Sequence, residues 1–138
     1  MVQDDWDKLL QSAREVRNNA YVPYSHFAVG AALETEDGAI FSGCNVENVS
    51  FGLTNCAERS AVFHMVSAGQ KKIRSVAVIA DAPRPISPCG ACRQVLAEFG
   101  REETPVVLSN LAGQTIRTTL GELIPYVFMK GDINERDE

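Results

Sequence analysis

Residues 75–80, Ser-Val-Ala-Val-Ile-Ala, form an almost unbroken apolar run rich in β-branched side chains. The run is too short for a globular helix and lacks the polar alternation of a strand with one wet face, so it reads as a central strand covered on both sides. The neighbouring segments supply that cover. Residues 5–19 carry Trp6, Leu9, Leu10, Ala13 and Val16 on one helical face, with Asp4 or Asp5 available as a cap. Helices are also expected over residues 56–68, where Gly69 is the terminator, and from Pro88 onward, with Cys92, Val95, Leu96 and Phe99 facing inward and Gly100 at the end. Strands are expected over residues 27–33 and 39–44, joined at Asp37-Gly38, a dipeptide suited to a hairpin turn. Further strands are expected over residues 104–109 and, more weakly, 114–117, with a short helix near 119–123. The order α, β, β, α, β, α, β, with the two later helices read as crossovers between neighbouring parallel strands, describes an α/β fold: a mixed sheet with helices on both faces. At 138 residues one domain spanning 1–138 is expected, with a frayed tail over 131–138.

The formal charge of -5 argues against a broad phosphate-binding surface, so a small molecule or a protein is the expected partner rather than a nucleic-acid polymer. No stretch has the length and apolarity of a membrane span or a signal peptide, and four cysteines are too few for a disulfide scaffold. A reducing, cytoplasmic location is expected.

Three of those cysteines stand at comparable places. Cys56 begins one expected helix, and Cys89 and Cys92 share the first turn of the next. Helix amino termini favour thiolate over thiol, and cysteines three apart on one face suit a tetrahedral zinc ion. Glu58, two residues beyond Cys56, lies beside such a metal without having to bind it. Three protein ligands leave one position for water, and a nearby carboxylate can take up and return its proton, which outlines a hydrolytic site. A Cys or His ligand, a Glu two residues on, and a Pro-Cys-x-x-Cys pair is the arrangement of zinc nucleobase deaminases.

Quieter readings of the same residues stand beside this one. Glu58 could close a capping box with Asn55, and Cys89-Gly90-Ala91-Cys92 could be a thioredoxin-like redox pair, although that leaves Cys56 and Glu58 without work. Cys44 could complete a closed structural zinc site, or be a small packed side chain at a strand end. His64 is two helical turns from Cys56, about 12 Å along the axis, and so is excluded from the same metal. His26 reads as an ordinary loop residue.

The motifs together resemble a known family. Cys56-Ala57-Glu58, Pro88-Cys89-Gly90-Ala91-Cys92-Arg93-Gln94, Tyr24 to Ala32 and Gly43-Cys44-Asn45-Val46-Glu47-Asn48 look like the corresponding stretches of small, three-thiolate, homotetrameric cytidine deaminases, and the resemblance covers nearly the whole chain. It implies a three-layer α/β/α sandwich on a mostly five-stranded mixed sheet and one Zn2+ per subunit on Cys56, Cys89 and Cys92. Glu58 would be the catalytic proton carrier. Phe27 would pack on the pyrimidine, Asn45 and Glu47 would hold the ribose 3′-hydroxyl, and Ala57 would add a substrate contact. Phe128 would reach into a neighbouring subunit's pocket, unless it fills its own monomer's core. Arg59 and Arg93 would act on the sulfurs from behind. The implied reaction is hydrolysis of free cytidine and deoxycytidine, for pyrimidine salvage, in a homotetramer. A related aminonucleoside deaminase of the blasticidin S type is the alternative. One departure is Phe51, which stands where many relatives have Tyr.

Overall fold

The structure, a computed structural model, describes residues 3–133. Five strands form one mixed sheet in the order β2-β1-β3-β4-β5: β1 (Val29–Thr35), β2 (Ile40–Cys44), β3 (Ile73–Ala80), β4 (Pro105–Asn110) and β5 (Thr115–Thr119). The covering helices are α1 (Gln3–Arg17), α2 (Ala57–Ser67), α3 (Gly90–Phe99) and the single turn α4 (Leu120–Leu123).

The central run alternates even though every residue in it is small or apolar. Val76, Val78 and Ala80 pack with Ala61, Met65 and Leu96 on the α2/α3 face, while Ala77 and Ile79 pack with Trp6, Leu9 and Ala13 of α1 on the other. This is the expected α/β/α sandwich. Strand period two survives inside a continuous apolar run because both faces are dry.

Glycines set how closely the layers approach. A Cβ on Gly30 would lie 1.9 Å from the carbonyl oxygen of Ala13 in α1, and one on Gly43 would lie 2.3 Å from the backbone nitrogen of Ala61 in α2. Both neighbours are main-chain atoms that no rotamer change relieves. Gly43→Ala is therefore expected to push α2 off the sheet and lower stability by at least ~1–3 kcal/mol, the usual cost of overpacking. A urea melt checks the stability, and a parallel loss of activity is expected because α2 carries part of the site described below.

The crossover reading needs one correction. Only β3 and β4 are neighbouring parallel strands; β1 pairs antiparallel with both β2 and β3, so α2 carries the chain from β2 across β1 to β3. The hairpin strand occupies the place between, which a local reading of strand-helix-strand order does not reveal.

Element ends also moved for identifiable reasons. The first strand begins at Val29 rather than 27, because the Phe27 amide and carbonyl are already bonded to Ser25 Oγ and Asn45 Nδ2. Asp4 and Asp5 fall within α1, whose described part begins at Gln3, and residues 18–20 leave the helix through tighter turns onto Glu15, Val16 and Arg17. Pro88 precedes the third helix, whose cap is Cys89. Of the tail expected to fray, Gly131 and Asp132 form a short 3-10 turn, and residues 134–138 lie outside the described residues. No helix among the described residues is long and apolar enough to cross a membrane.

Candidate active site

Cys56 and Cys89 are the N-cap residues of α2 and α3, and neither side chain caps its helix by a hydrogen bond. An N-cap side chain ordinarily accepts from the first-turn amides. Here the sulfurs turn toward each other instead: Cys56 Sγ lies 3.8 Å from Cys89 Sγ, and Cys89 Sγ lies 3.4 Å from Cys92 Sγ. All three ligand atoms fall within 4.8 Å of one another.

This donor set fits zinc. Three soft sulfurs converge at two positive helix ends, with Cys92 fully buried and Cys89 open to solvent, so one side of the cluster stays accessible. The thiols already share protons unequally. Cys56 is drawn down to about 5, first by its hydrogen bond with Cys92 and then by Arg59, while Cys92 is pushed well up as the proton-holding partner and by burial. These opposite shifts describe one proton held between two sulfurs.

Cys44 lies outside the cluster, and burial raises its thiol pKa. The closed four-cysteine reading thus lacks its fourth ligand. Cys44→Ala is expected to leave metal content at one zinc per chain, measured by elemental analysis of the purified protein.

With Cys56 as cap, Glu58 is the second residue of α2 and has no capping role, which removes the capping-box reading. Its side chain is only 4% exposed. Burial pushes its carboxyl up to about 7, with the nearby Cys56 charge adding to the shift. A carboxyl so placed exchanges protons near neutral pH.

The two arginines differ. Arg59 Nη2 donates to Cys56 Sγ at 3.5 Å, and its Nε is buried without a partner among the described residues. Arg93 instead donates to the Pro88 carbonyl at 2.7 Å and the Leu123 carbonyl at 2.6 Å. Its guanidinium thus meets the main chain directly ahead of Cys89 and not a sulfur.

A second cluster is knitted to the first by the main chain. Val46 bridges Asn55, the residue before Cys56, and Tyr21 bridges Val46 from the other side. Asn45 accepts from the Val29 amide at 2.9 Å and donates to the Phe27 carbonyl at 2.8 Å. Glu47 accepts from the amides of Tyr24 at 3.0 Å and Ser25 at 3.1 Å through Oε1, and from Ser25 Oγ through Oε2. These donors hold its carboxyl below the usual range, the Ser25 hydroxyl contributing most. Phe27 is exposed at the lip of this loop and Ala57 is fully buried at the start of α2. Ser25 escaped sequence reasoning, although Ser-x-Phe before a strand has the form of a hydroxyl turn.

Phe128 lies elsewhere. Its ring is 60% exposed, so it plugs no core, and it lines a groove of about 330 Å³ with Phe99 and Arg101 at the far end of α3. Gln94 Nε2 donates to its carbonyl at 2.8 Å. Phe51 packs edge-on against Tyr24 with ring centres 5.7 Å apart. His64 Nδ1 contacts the Ser42 carbonyl at 3.1 Å, away from the thiols.

Three convergent thiols beside a buried carboxyl, mounted on two helix starts of an α/β/α sandwich, define the layout of a zinc-dependent hydrolase. Comparison with known proteins narrows that class. Residues 3–108 match the family model of the cytidine and deoxycytidylate deaminase zinc-binding region, and the chain belongs to that family. A cytidine deaminase of Sporosarcina psychrophila is 51% identical over 94% of this chain and 96% of its own length. The crystal structure of a cytidine deaminase from Burkholderia pseudomallei, 47% identical, superposes with a TM-score of 0.87 over 93% of this chain and 100% of that one. A blasticidin-S deaminase of Bacillus cereus is 30% identical over 89% of this chain and 91% of its own length.

Proposed function

We propose that this chain is a cytidine deaminase that hydrolyses cytidine and deoxycytidine to uridine and deoxyuridine, releasing ammonia. The observation that carries the reading is the buried Glu58 carboxyl set beside three convergent thiols in a chain of this family. Cys56, Cys89 and Cys92 would hold one zinc ion, which when bound supplies the Lewis acidity that makes water nucleophilic near neutral pH. Glu58 takes a proton from the water that adds at carbon 4, delivers it to ring nitrogen 3, and delivers the second to the departing amine. Arg59 offsets the negative charge of the thiolates. The redox-pair alternative leaves the convergence of Cys56 on the pair, and the burial of Glu58, without a purpose.

The ribose assignment follows from unused hydrogen-bonding capacity. Asn45 Nδ2 has two hydrogens and spends one on Phe27; Glu47 offers four lone-pair sites and three donors reach them. One N–H and one acceptor site remain, which match the acceptor and donor of a single hydroxyl. Assigned to the ribose 3′-hydroxyl, this pair selects a free nucleoside, since a 3′-phosphodiester has no proton for Glu47. It also favours a ribonucleoside over the antibiotic substrate, in keeping with the higher identity to cytidine deaminases.

Phe27 would face the pyrimidine and Ala57 would bound the pocket floor. Large apolar side chains exposed on a single chain, Val49 at 77%, Phe51 at 73% and Leu53 at 71%, support assembly into a homotetramer in which Phe128 serves a neighbour's pocket. The whole chain acts as one domain, in the cytoplasm, in pyrimidine salvage. Ammonia release from cytidine, deoxycytidine, adenosine and blasticidin S, assayed beside metal analysis, tests the proposal: turnover of the two cytidines is expected, and turnover confined to either of the others would refute it.

A further inference from the structure

We infer that Ser25 is a positioning residue that fixes the free acceptor site of Glu47 and thereby sets discrimination for the ribose 3′-hydroxyl; this rests on the assignment of Asn45 and Glu47 made above. The Ser25 hydroxyl touches both halves of the pocket. It donates to Glu47 Oε2, and it accepts from the Phe27 amide at 3.0 Å. The Ser25 and Tyr24 amides hold the other carboxylate oxygen. Between Ser25 and Phe27 the chain turns through His26 in the left-handed region, at φ 58, with its amide bonded to the Val22 carbonyl at 3.0 Å. That reversal brings the Phe27 amide back over the serine.

A carboxylate anchored through one oxygen swings about that anchor. Donors on both oxygens stop the swing and leave the last lone pair of Oε2 pointing one way, so the hydroxyl it receives must arrive from that direction. Without the Ser25 hydroxyl, Oε2 loses its local donor and the Phe27 amide loses its partner. Ser25 itself is exposed, so its replacement leaves the core intact.

The test compares cytidine with 3′-deoxycytidine in the wild-type chain and in Ser25→Ala and Ser25→Thr variants, each checked for an unchanged melting temperature. The wild type should prefer cytidine by about tenfold or more in kcat/KM, the scale of one hydrogen bond to a charged group. Ser25→Ala should lose about tenfold on cytidine, chiefly through KM, and almost nothing on 3′-deoxycytidine, while Ser25→Thr keeps the wild-type preference by keeping the hydroxyl. Equal losses on both substrates would show a merely structural serine. An unchanged preference in Ser25→Ala would overturn the proposal and leave the assignment of Asn45 and Glu47 standing. If the wild type itself does not distinguish the two substrates, that assignment fails and the Ser25 proposal falls with it.

Discussion

Replacing Glu58 by Gln is expected to leave one zinc per chain and lower kcat by ~10²- to 10⁴-fold or more, the range for loss of a general acid or base. Gln keeps the shape and polarity of the side chain but carries no proton between water, ring nitrogen and amine. The same variant has a second signature that needs no substrate. In the metal-free chain the Glu58 carboxyl rises from its ordinary 4.5 to about 7, first because burial disfavours its charge and then because Cys56 is negative. A carboxyl raised by folding contributes stability that is complete below about pH 4.5 and is lost as pH rises through about 7. Gln does not titrate, so metal-free Glu58→Gln should gain on the wild type across that window, by on the order of 3 kcal/mol at pH 8. Urea melts at pH 5 and pH 8 measure the gap. A variant with full turnover, or one whose stability relative to wild type is the same at both pH values, would contradict the assigned environment and role of Glu58.

What the sequence disclosed about this site, and what it hid, divides along a physical line. The thiols were legible because metal chemistry fixes both residue type and spacing: a pair three apart at a helix start, and a third cysteine at the start of another helix. Glu58 was legible only through its company, since alone it also fits a capping box. The structure moves the cap from Asn55 to Cys56 and so shifts Glu58 by one position in the first turn. The sandwich could be read from Ser75–Ala80, whose apolar continuity demands two covering layers. The pairing of β1 between β2 and β3 could not, because hairpin placement depends on long-range contacts that local pattern does not encode. Arg93 was misdirected for a similar reason. Its neighbour Cys92 suggested a sulfur partner, yet the guanidinium reaches the carbonyl of Pro88, five residues before it, and that of Leu123, thirty residues beyond it, a partner that only the fold supplies. Ser25 was hidden because its partner Glu47 is distant in sequence, and only the fold sets a hydroxyl and a carboxylate face to face.

Removing the metal with a chelator should abolish turnover, and the way zinc returns should reveal the state of the thiols. Cys56 already favours thiolate at neutral pH, whereas Cys92, buried and bonded to Cys56, holds its proton far above that range. Zinc binds thiolate, so uptake has to displace at least the Cys92 proton. Affinity for zinc should therefore rise about tenfold per pH unit for each proton displaced, and calorimetric titrations in buffers of different ionisation enthalpy should register the release. Cys56→Ala separates this centre from a redox pair: it removes one of three ligands and should cost zinc and activity together, yet it would leave a Cys89–Cys92 disulfide couple intact. Zinc retained by that variant, or activity in the chelated wild type that responds to dithiol reductants instead, would mean that the two thiols on α3 work alone. The structure argues otherwise, because it is the cap of α2, and with it the helix that carries Glu58, that closes the cluster to three.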